Sequence, residues 1–225
     1  MRALSVRIPA GRRVLDFGCG SGWVLAEAQI EGAPQRFGID YSFAELQKAK
    51  CYPEIRFAAS DGQHLPFPDE TFDVVVGHVS MPYMNTSRAL REIYRVLCPG
   101  GAFLLTFHGY FYLRQKLRNS LRAHNWKDVL FMGYLGVNGA LNHLGLPQLK
   151  AWWNPNRFET VNTPTGVFRS AKAAGFDLIA IEHAPARIFF ATTARKPAPN
   201  GAAVLPAPGW SIYCGLRQQA RRAFA

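Results

Sequence analysis

Residues 14–22 read Val-Leu-Asp-Phe-Gly-Cys-Gly-Ser-Gly, a short apolar run that ends in an acid and is followed by glycine at every second position. The pattern predicts a strand, a tight turn and a helix start whose backbone can approach a ligand closely. Gly18, Gly20 and Gly22 form G-x-G-x-G, whereas the dinucleotide fingerprint is G-x-G-x-x-G, spaced to seat a pyrophosphate on a helix N-terminus. The spacing here suits a cofactor that lacks a pyrophosphate. Asp16, two residues before the first glycine, is expected close to that cofactor, where an anion would repel phosphate but could organise water or an ammonium group. Cys19, inside the turn, reads most simply as a small residue that fits there.

A second apolar run, Arg36-Phe37-Gly38-Ile39-Asp40, ends in a carboxylate about 20 residues downstream, where a doubly wound fold places the side chain that accepts ribose hydroxyls. Asp40 is the expected ribose ligand; its other reading is a helix N-terminal acid, with Ser42 capping a helix that begins at Phe43. A third run, Ile55 to Ala59, leads into Ser60-Asp61-Gly62, then Leu65-Pro66-Phe67-Pro68 and Thr71-Phe72-Asp73-Val74-Val75-Val76. A helix from Ser87 to Leu97, the turn Pro99-Gly100-Gly101 and a fifth strand from Ala102 to Phe107 follow, the glycines acting as a helix stop and turn.

These four ordered signals resemble class I S-adenosylmethionine-dependent methyltransferases, closely over residues 12 to 108 and loosely over 158 to 195. The resemblance implies an α/β fold: a three-layer, doubly wound, mostly parallel seven-stranded sheet whose last strand runs antiparallel between its neighbours. It implies S-adenosyl-L-methionine as cofactor, held by Asp16, the Gly18-Cys19-Gly20 turn and Asp40. Tyr41 is expected to pack on the adenine, Asp61 to accept its amino group, and the backbone at Gly62 to lie beside the ring. His78 falls where the family uses backbone carbonyls to contact the methionine part of the cofactor.

At 225 residues the chain has room for one full-sized core. The expected organisation is a methyltransferase domain over 1–196, with a helical substrate insert at 109–163, then a Pro/Ala-rich linker and basic tail at 197–225. Thr165 to Ala174 reads as a helix, Phe176 to Glu182 and Ile188 to Thr193 as strands, and His183 to Ala186 as the loop between them. The weakly polar stretch Val129 to Leu146 carries Asn138, Asn142, His143 and four glycines, too many interruptions for a spanning helix. The first strand begins by about residue 12, leaving no room for a signal peptide, and the four cysteines show no metal-ligand or disulfide spacing. A cytoplasmic enzyme without metal is expected. The short N-terminus, Met1 to Gly11, departs from relatives that commonly carry a covering helical segment there, so either the insert and tail cover the cofactor or the chain is an incomplete reading frame.

Charge is lopsided. Residues 1 to 108 hold 11 Lys/Arg and 11 Asp/Glu, and the remaining 117 hold 15 and 4, so the whole excess of +11 lies in the second half. In this fold that half lies at the substrate end, and a basic excess favours an anionic substrate, an anionic membrane or nucleic acid; the alternative is mere solubility. Tyr110, Leu113, Leu117, Leu121 and His124 fall on one helical face, edged by Arg114, Arg118 and Arg122 on one side and Lys116 and Lys127 on the other. Such a basic amphipathic helix, over 110–127, docks on its own domain or lies on an anionic membrane.

Methyl transfer from a sulfonium is an in-line displacement, so alignment and desolvation dominate, and a base is required only where the acceptor must lose a proton. The residues past the fourth and fifth strands face the acceptor. His108 is the expected general base there, His78 a lesser one, and Tyr83 is expected to orient an acceptor or line the pocket; both histidines have plain structural readings as well. Ser80-Met81-Pro82-Tyr83 departs from the [DNS]-P-P-[FYW] signature of amino-methyltransferases, since Met81 replaces the first proline, which weighs against methylation of a nucleic-acid base. The expected function is methyl transfer to a small-molecule or lipid-like acceptor. The alternatives are a nucleic-acid methyltransferase and a non-catalytic cofactor-binding partner subunit.

Overall fold

The computed structural model describes residues 8, 11–27, 35–151, 158–183 and 189–199. Seven strands form one sheet: β1 (Arg13–Phe17), β2 (Gln35–Asp40), β3 (Ile55–Ala59), β4 (Phe72–His78), β5 (Leu97–His108), β6 (Asp177–His183) and β7 (Phe189–Arg195). Their order is β3-β2-β1-β4-β5-β7-β6. The first five are parallel, and β7 runs antiparallel between β5 and β6. The expected sheet is therefore the observed one. The order reverses between β1 and β4, and a doubly wound sheet binds its ligand at that switch, beyond the strand C-termini.

The central strands are apolar on both faces, as strands covered by helices on each side must be. Leu15, Phe17, Val75, Phe103, Leu105 and Phe107 point into one core layer. Val14, Val74, Val76, Ala102 and Leu104 alternate with them and point into the other. The first layer is closed by α3 (Thr86–Val96) and α6 (Pro164–Ala174) through Ala89, Leu90, Ile93, Val167 and Ala171. Each of these helices has a side-chain cap, Asn85 accepting from the Arg88 N–H and Thr163 from the Gly166 N–H. Gly175, at φ 104°, ends α6 in the left-handed region that favours glycine. The second layer includes Leu25 of α1 (Trp23–Glu27).

Some boundaries move from the sequence reading. β5 begins at Leu97, five residues ahead of the expected Ala102, because Leu97 pairs with Phe72 and the Gly100 N–H and Gly101 carbonyl bond to Lys196. The Pro99-Gly100-Gly101 segment thus stays laddered to its neighbours. The expected loop at 183–186 is described only at His183, and the expected tail only at 197–199; the rest of both, with residues 1–7, lies outside the described residues.

The insert after β5 is an antiparallel helical hairpin, α4 (Tyr110–Arg122) and α5 (Trp126–Leu144), joined by three residues. Leu113 and Leu117 of α4 meet Phe131, Met132 and Leu135 of α5 in a small separate core. The sequence face is corrected in part: Leu113 is buried, but Tyr110 and Leu121 are exposed, Ser120 is buried in their place, and His124 lies beyond the helix at φ 51°. A buried polar network ties the insert to the main domain. Thr86 donates from Oγ1 to Asn162 and from its N–H to Gln148, Asn142 donates to Asn162, and Asn138 bridges Leu149 and Glu159. The Thr160 N–H reaches the Pro82 carbonyl at 2.9 Å, so the return segment 158–163 is clipped to the loop after β4.

Candidate functional site

A cavity of about 430 Å³ opens at the C-terminal ends of β1, β2 and β4. Its lining includes Gly18, Asp40, Tyr41, Asp61, Gly62, His78 and Tyr83, seven of the residues expected from sequence. Asp16, Cys19, Gly20 and His108 are off that lining.

The glycine turn is built by its own amides. The N–H groups of Gly18 and Cys19 both donate to the Ile39 carbonyl, at 2.9 and 2.8 Å, and the Gly22 N–H donates to Cys19. The Gly20 N–H donates to Asp40 Oδ2 at 2.8 Å, and the Ser42 N–H to Asp40 Oδ1 at 2.7 Å. These four turn amides are therefore committed internally, which suits a ligand that brings no phosphate to this turn. Gly18 lies at φ 74°, and a Cβ there would stand 2.3 Å from the Ser80 Cβ. Ser80 thus packs directly on the turn. The Cys19 thiol fills space against Gly38 and is buried, and burial with Asp16 and Asp40 nearby drives its pKa far up. That is the chemistry of packing rather than ligation.

Asp40 organises the turn, while Ser42 separately caps α2 (Phe43–Ala49) by accepting from Glu45. With one amide on each oxygen, its carboxylate retains acceptor capacity toward the cavity. Asp61 accepts from the Gln63 N–H at 2.9 Å and from the Gln63 amide, and Gln63 in turn accepts from the Asn85 N–H. A Cβ on Gly62 would stand 2.4 Å from Phe17 Cζ, so the bare backbone at 62 closes against the aromatic floor. Tyr41 is 81% exposed at the rim. The Leu65-Pro66-Phe67 motif is held by Arg95, which donates to the carbonyls of Leu65 and Phe67, while Glu92 accepts the Leu65 N–H. Gln63 and Arg95 carry no sequence signal outside the motifs they support.

Asp16 is fully buried and neither carboxylate oxygen has a hydrogen-bond partner. Burial first, and the charge of Asp40 second, push its pKa up to about 8. An orphaned acid beside the turn calls for a proton, a water or a cation. This fits a ligand with an ammonium group and a sulfonium.

The two histidines differ. His78 lines the cavity, bonds Thr106 Oγ1 through Nδ1 at 2.8 Å and meets Trp23 edge-on at 5.9 Å. His108 is stacked on Tyr112, with ring centroids 4.1 Å apart, and against Phe189, and its Nδ1 is buried without a partner. Burial first, then the neighbouring His78 and Lys116, lower its pKa to about 4. Among the described residues, no group of three or more His, Cys, Asp or Glu is placed to hold a metal ion.

Comparison with known proteins agrees with this geometry. Residues 15–105 match the methyltransferase domain family. The chain is 33% identical over 162 residues to the mitochondrial arginine-hydroxylase NDUFAF5 of Rattus norvegicus, a span of 68% of this chain and 46% of that protein. It is 37% identical over 102 residues to phthiotriol/phenolphthiotriol dimycocerosates methyltransferase 1 of Mycobacterium ulcerans, covering 43% of this chain and 38% of that one. The chain thus spans less than half the length of these curated relatives. Among solved structures, a chain of the complex between the Haloferax volcanii Trm112 methyltransferase activator and a methyltransferase superposes with a TM-score of 0.56 at 20% identity, over 84% of each chain. Fold, glycine turn and matched domain together place this chain among the class I S-adenosylmethionine-dependent methyltransferases.

Proposed function

We propose that this protein transfers a methyl group from S-adenosylmethionine to a small-molecule or lipid-like acceptor. The observation that carries the reading is the cavity over the sheet's switch point, with Asp40 and Asp61 on its lining and the unpartnered Asp16 beside the glycine turn. Asp40 holds the ribose, Asp61 and the backbone at Gly62 the adenine, with Tyr41 over the ring, and Asp16 favours the positive methionine end. When bound, the cofactor supplies an electrophilic methyl group on a sulfonium. The chain's part is to align the acceptor and exclude water, which can lower the barrier by ~7–11 kcal/mol at best.

Acceptor-side residues are Ser80, Tyr83 and Met84, with the return segment clipped at Pro82. Where the acceptor must lose a proton, His78 is the better-placed base, since it lines the cavity and His108 is locked in an aromatic stack. Relatives named as a phthiotriol/phenolphthiotriol dimycocerosates methyltransferase and a sterol 24-C-methyltransferase support the lipid-like class. A second reading comes from the relative aligned over 162 residues whose name is an arginine hydroxylase.

Calorimetry with S-adenosylhomocysteine tests the cofactor assignment, and mass spectrometry of acceptor panels distinguishes a gained methyl from a gained oxygen. Binding with a methylated product is expected. Absence of binding overturns the methyltransferase reading, and an oxygenated arginine product favours the second.

A further inference from the structure

We propose that the outer face of α5, together with the tip of the helical hairpin, seats on an anionic membrane surface. Positions 126, 130, 133, 137, 140 and 144 repeat at the three- and four-residue spacing of one helix face. They are Trp126, Leu130, Gly133, Val137, Ala140 and Leu144, and all six are exposed. The large ones are bare to an unusual degree: Trp126 is 62%, Leu130 68%, Val137 51% and Leu144 62% exposed. The opposite face, with Met132, Leu135, Asn138, Gly139 and Asn142, is the one buried against the domain. A helix on a water-exposed surface normally turns charged or polar residues outward. This one is apolar there along its whole length, ~28 Å at 1.5 Å per residue, and an uncovered stripe of that size marks an interaction surface.

Charge selects the occupant. Residues 109–151 contain Arg114, Lys116, Arg118, Arg122, Lys127 and Lys150 against a single acid, Asp128. Arg118, Arg122 and Lys127 cluster by sequence at the hairpin tip beside the exposed Leu121 and Trp126. Among the described residues none of the six cations forms an ion pair. Asp128 is held by Asn125, which donates to its side chain and accepts its N–H, so it is occupied as a helix-start acid. A second copy of the chain would bring like charge against like. An anionic lipid surface instead offers headgroups to the arginines and an acyl boundary to the stripe, with Trp126 at the interface where indole rings gather. No described helix is long and apolar enough to cross a membrane, so the helix would lie in the interfacial plane. The inference is independent of which acceptor is methylated.

The test is co-sedimentation of the full chain with vesicles of phosphatidylcholine alone or mixed equally with phosphatidylglycerol. Two triple variants accompany it: Leu130→Gln/Val137→Gln/Leu144→Gln for the stripe and Arg118→Gln/Arg122→Gln/Lys127→Gln for the tip. Binding to the mixed vesicles is expected, weak binding to phosphatidylcholine, and about a tenfold or greater loss in each variant. Unchanged circular-dichroism spectra of all variants show that they are folded, whether or not the chain binds S-adenosylhomocysteine, and keep this result separate from the fate of the methyltransferase reading. Failure of the parent to bind mixed vesicles overturns the proposal. So does binding that the stripe variant retains in full, which would reduce the contact to charge alone, and so does preference for tRNA over vesicles. A dimer by light scattering that the stripe variant breaks would assign the face to a second copy and equally overturn it.

Discussion

Asp16 and Asp40 end neighbouring strands, and the fold treats their carboxylates in opposite ways: Asp40 receives a backbone N–H on each oxygen, whereas Asp16 is buried with none. Asp40 therefore has both oxygens compensated by amides and presents spare lone pairs to a ligand. Asp16 has no such compensation, and burial first and Asp40 second raise its pKa to about 8. One acid is built into the turn, and the other waits for a partner.

The pH dependence of stability follows from Asp16. Its pKa rises from the ordinary 3.8 to about 8 in the folded state, so the folded chain holds this proton more tightly than the unfolded chain does. The Asp16 contribution is thus most favourable below about 4 and is progressively lost as pH rises to about 8. Asp16→Asn should raise the Tm of the ligand-free protein near pH 8 and flatten its decline between roughly pH 5 and 8. The same variant should bind S-adenosylhomocysteine more weakly. Thermal melts across pH check the first effect; an unchanged slope would mean that Asp16 finds a partner in solution.

Asp40 should show two separable effects. Asp40→Ala removes the proposed ribose acceptor, with an expected loss of about 1.5–3 kcal/mol for a bond to a charged group, or roughly ten- to a hundredfold in affinity. It also strips the Gly20 and Ser42 amides of their acceptor, so the Tm should fall even without ligand. Calorimetry with S-adenosylhomocysteine on protein shown to be folded by circular dichroism checks both. Unchanged affinity would move the ribose site elsewhere.

His108 should matter to acid stability more than to catalysis. Its pKa is lowered from 6.5 to about 4, so as pH falls the unfolded chain takes up the proton first, and stability is lost between about 6.5 and 4. His108→Phe should keep the stack with Tyr112 and blunt that loss. With an acceptor in hand, the variant should retain activity within about tenfold, whereas His78→Ala should lose about 10² to 10⁴ where a proton must leave. A fall of that larger size in the His108 variant would restore it as the base.

The parts legible in sequence are those whose cause is local. Gly18 and Gly22 are required by their own φ of 74° and 82°, and the strands ending at Asp40 and Ala59 announce themselves by short apolar runs. The insert was less legible because its docking is decided at long range. Thr86 meets Gln148 and Asn162 across 62 and 76 residues, and no periodicity encodes such a pair. The buried face of α4 differs from the periodic one for a related reason: helical spacing groups Leu113 with Leu121, but the hairpin buries Leu113 and Ser120 and leaves Leu121 bare at the tip. The aromatic stack of His108 on Tyr112 and Phe189 is likewise illegible at the strand terminus, because its partners come from α4 and β7.

The contact between Gly18 and Ser80 yields a two-part prediction. Gly18→Ala meets two obstacles, a positive φ of 74° and a Cβ placed 2.3 Å from the Ser80 Cβ. The conformational part alone costs about 1–3 kcal/mol, and for a chain of this size each kcal/mol lowers the Tm by roughly 2–4 °C. Adding Ser80→Gly removes the Cβ and hydroxyl in the way, leaving the Ser80 Cα 3.5 Å from the new methyl, an ordinary contact. The double variant should therefore recover the steric part of the loss and keep the φ part, so the two substitutions are strongly non-additive. Ser80→Gly alone should be mild, because its Oγ is buried without a hydrogen-bond partner and its loss leaves no mate unsatisfied. Thermal melts of the four proteins measure the coupling directly. Simple additivity would show that Ser80 moves aside freely and that the turn is not braced by the loop after β4.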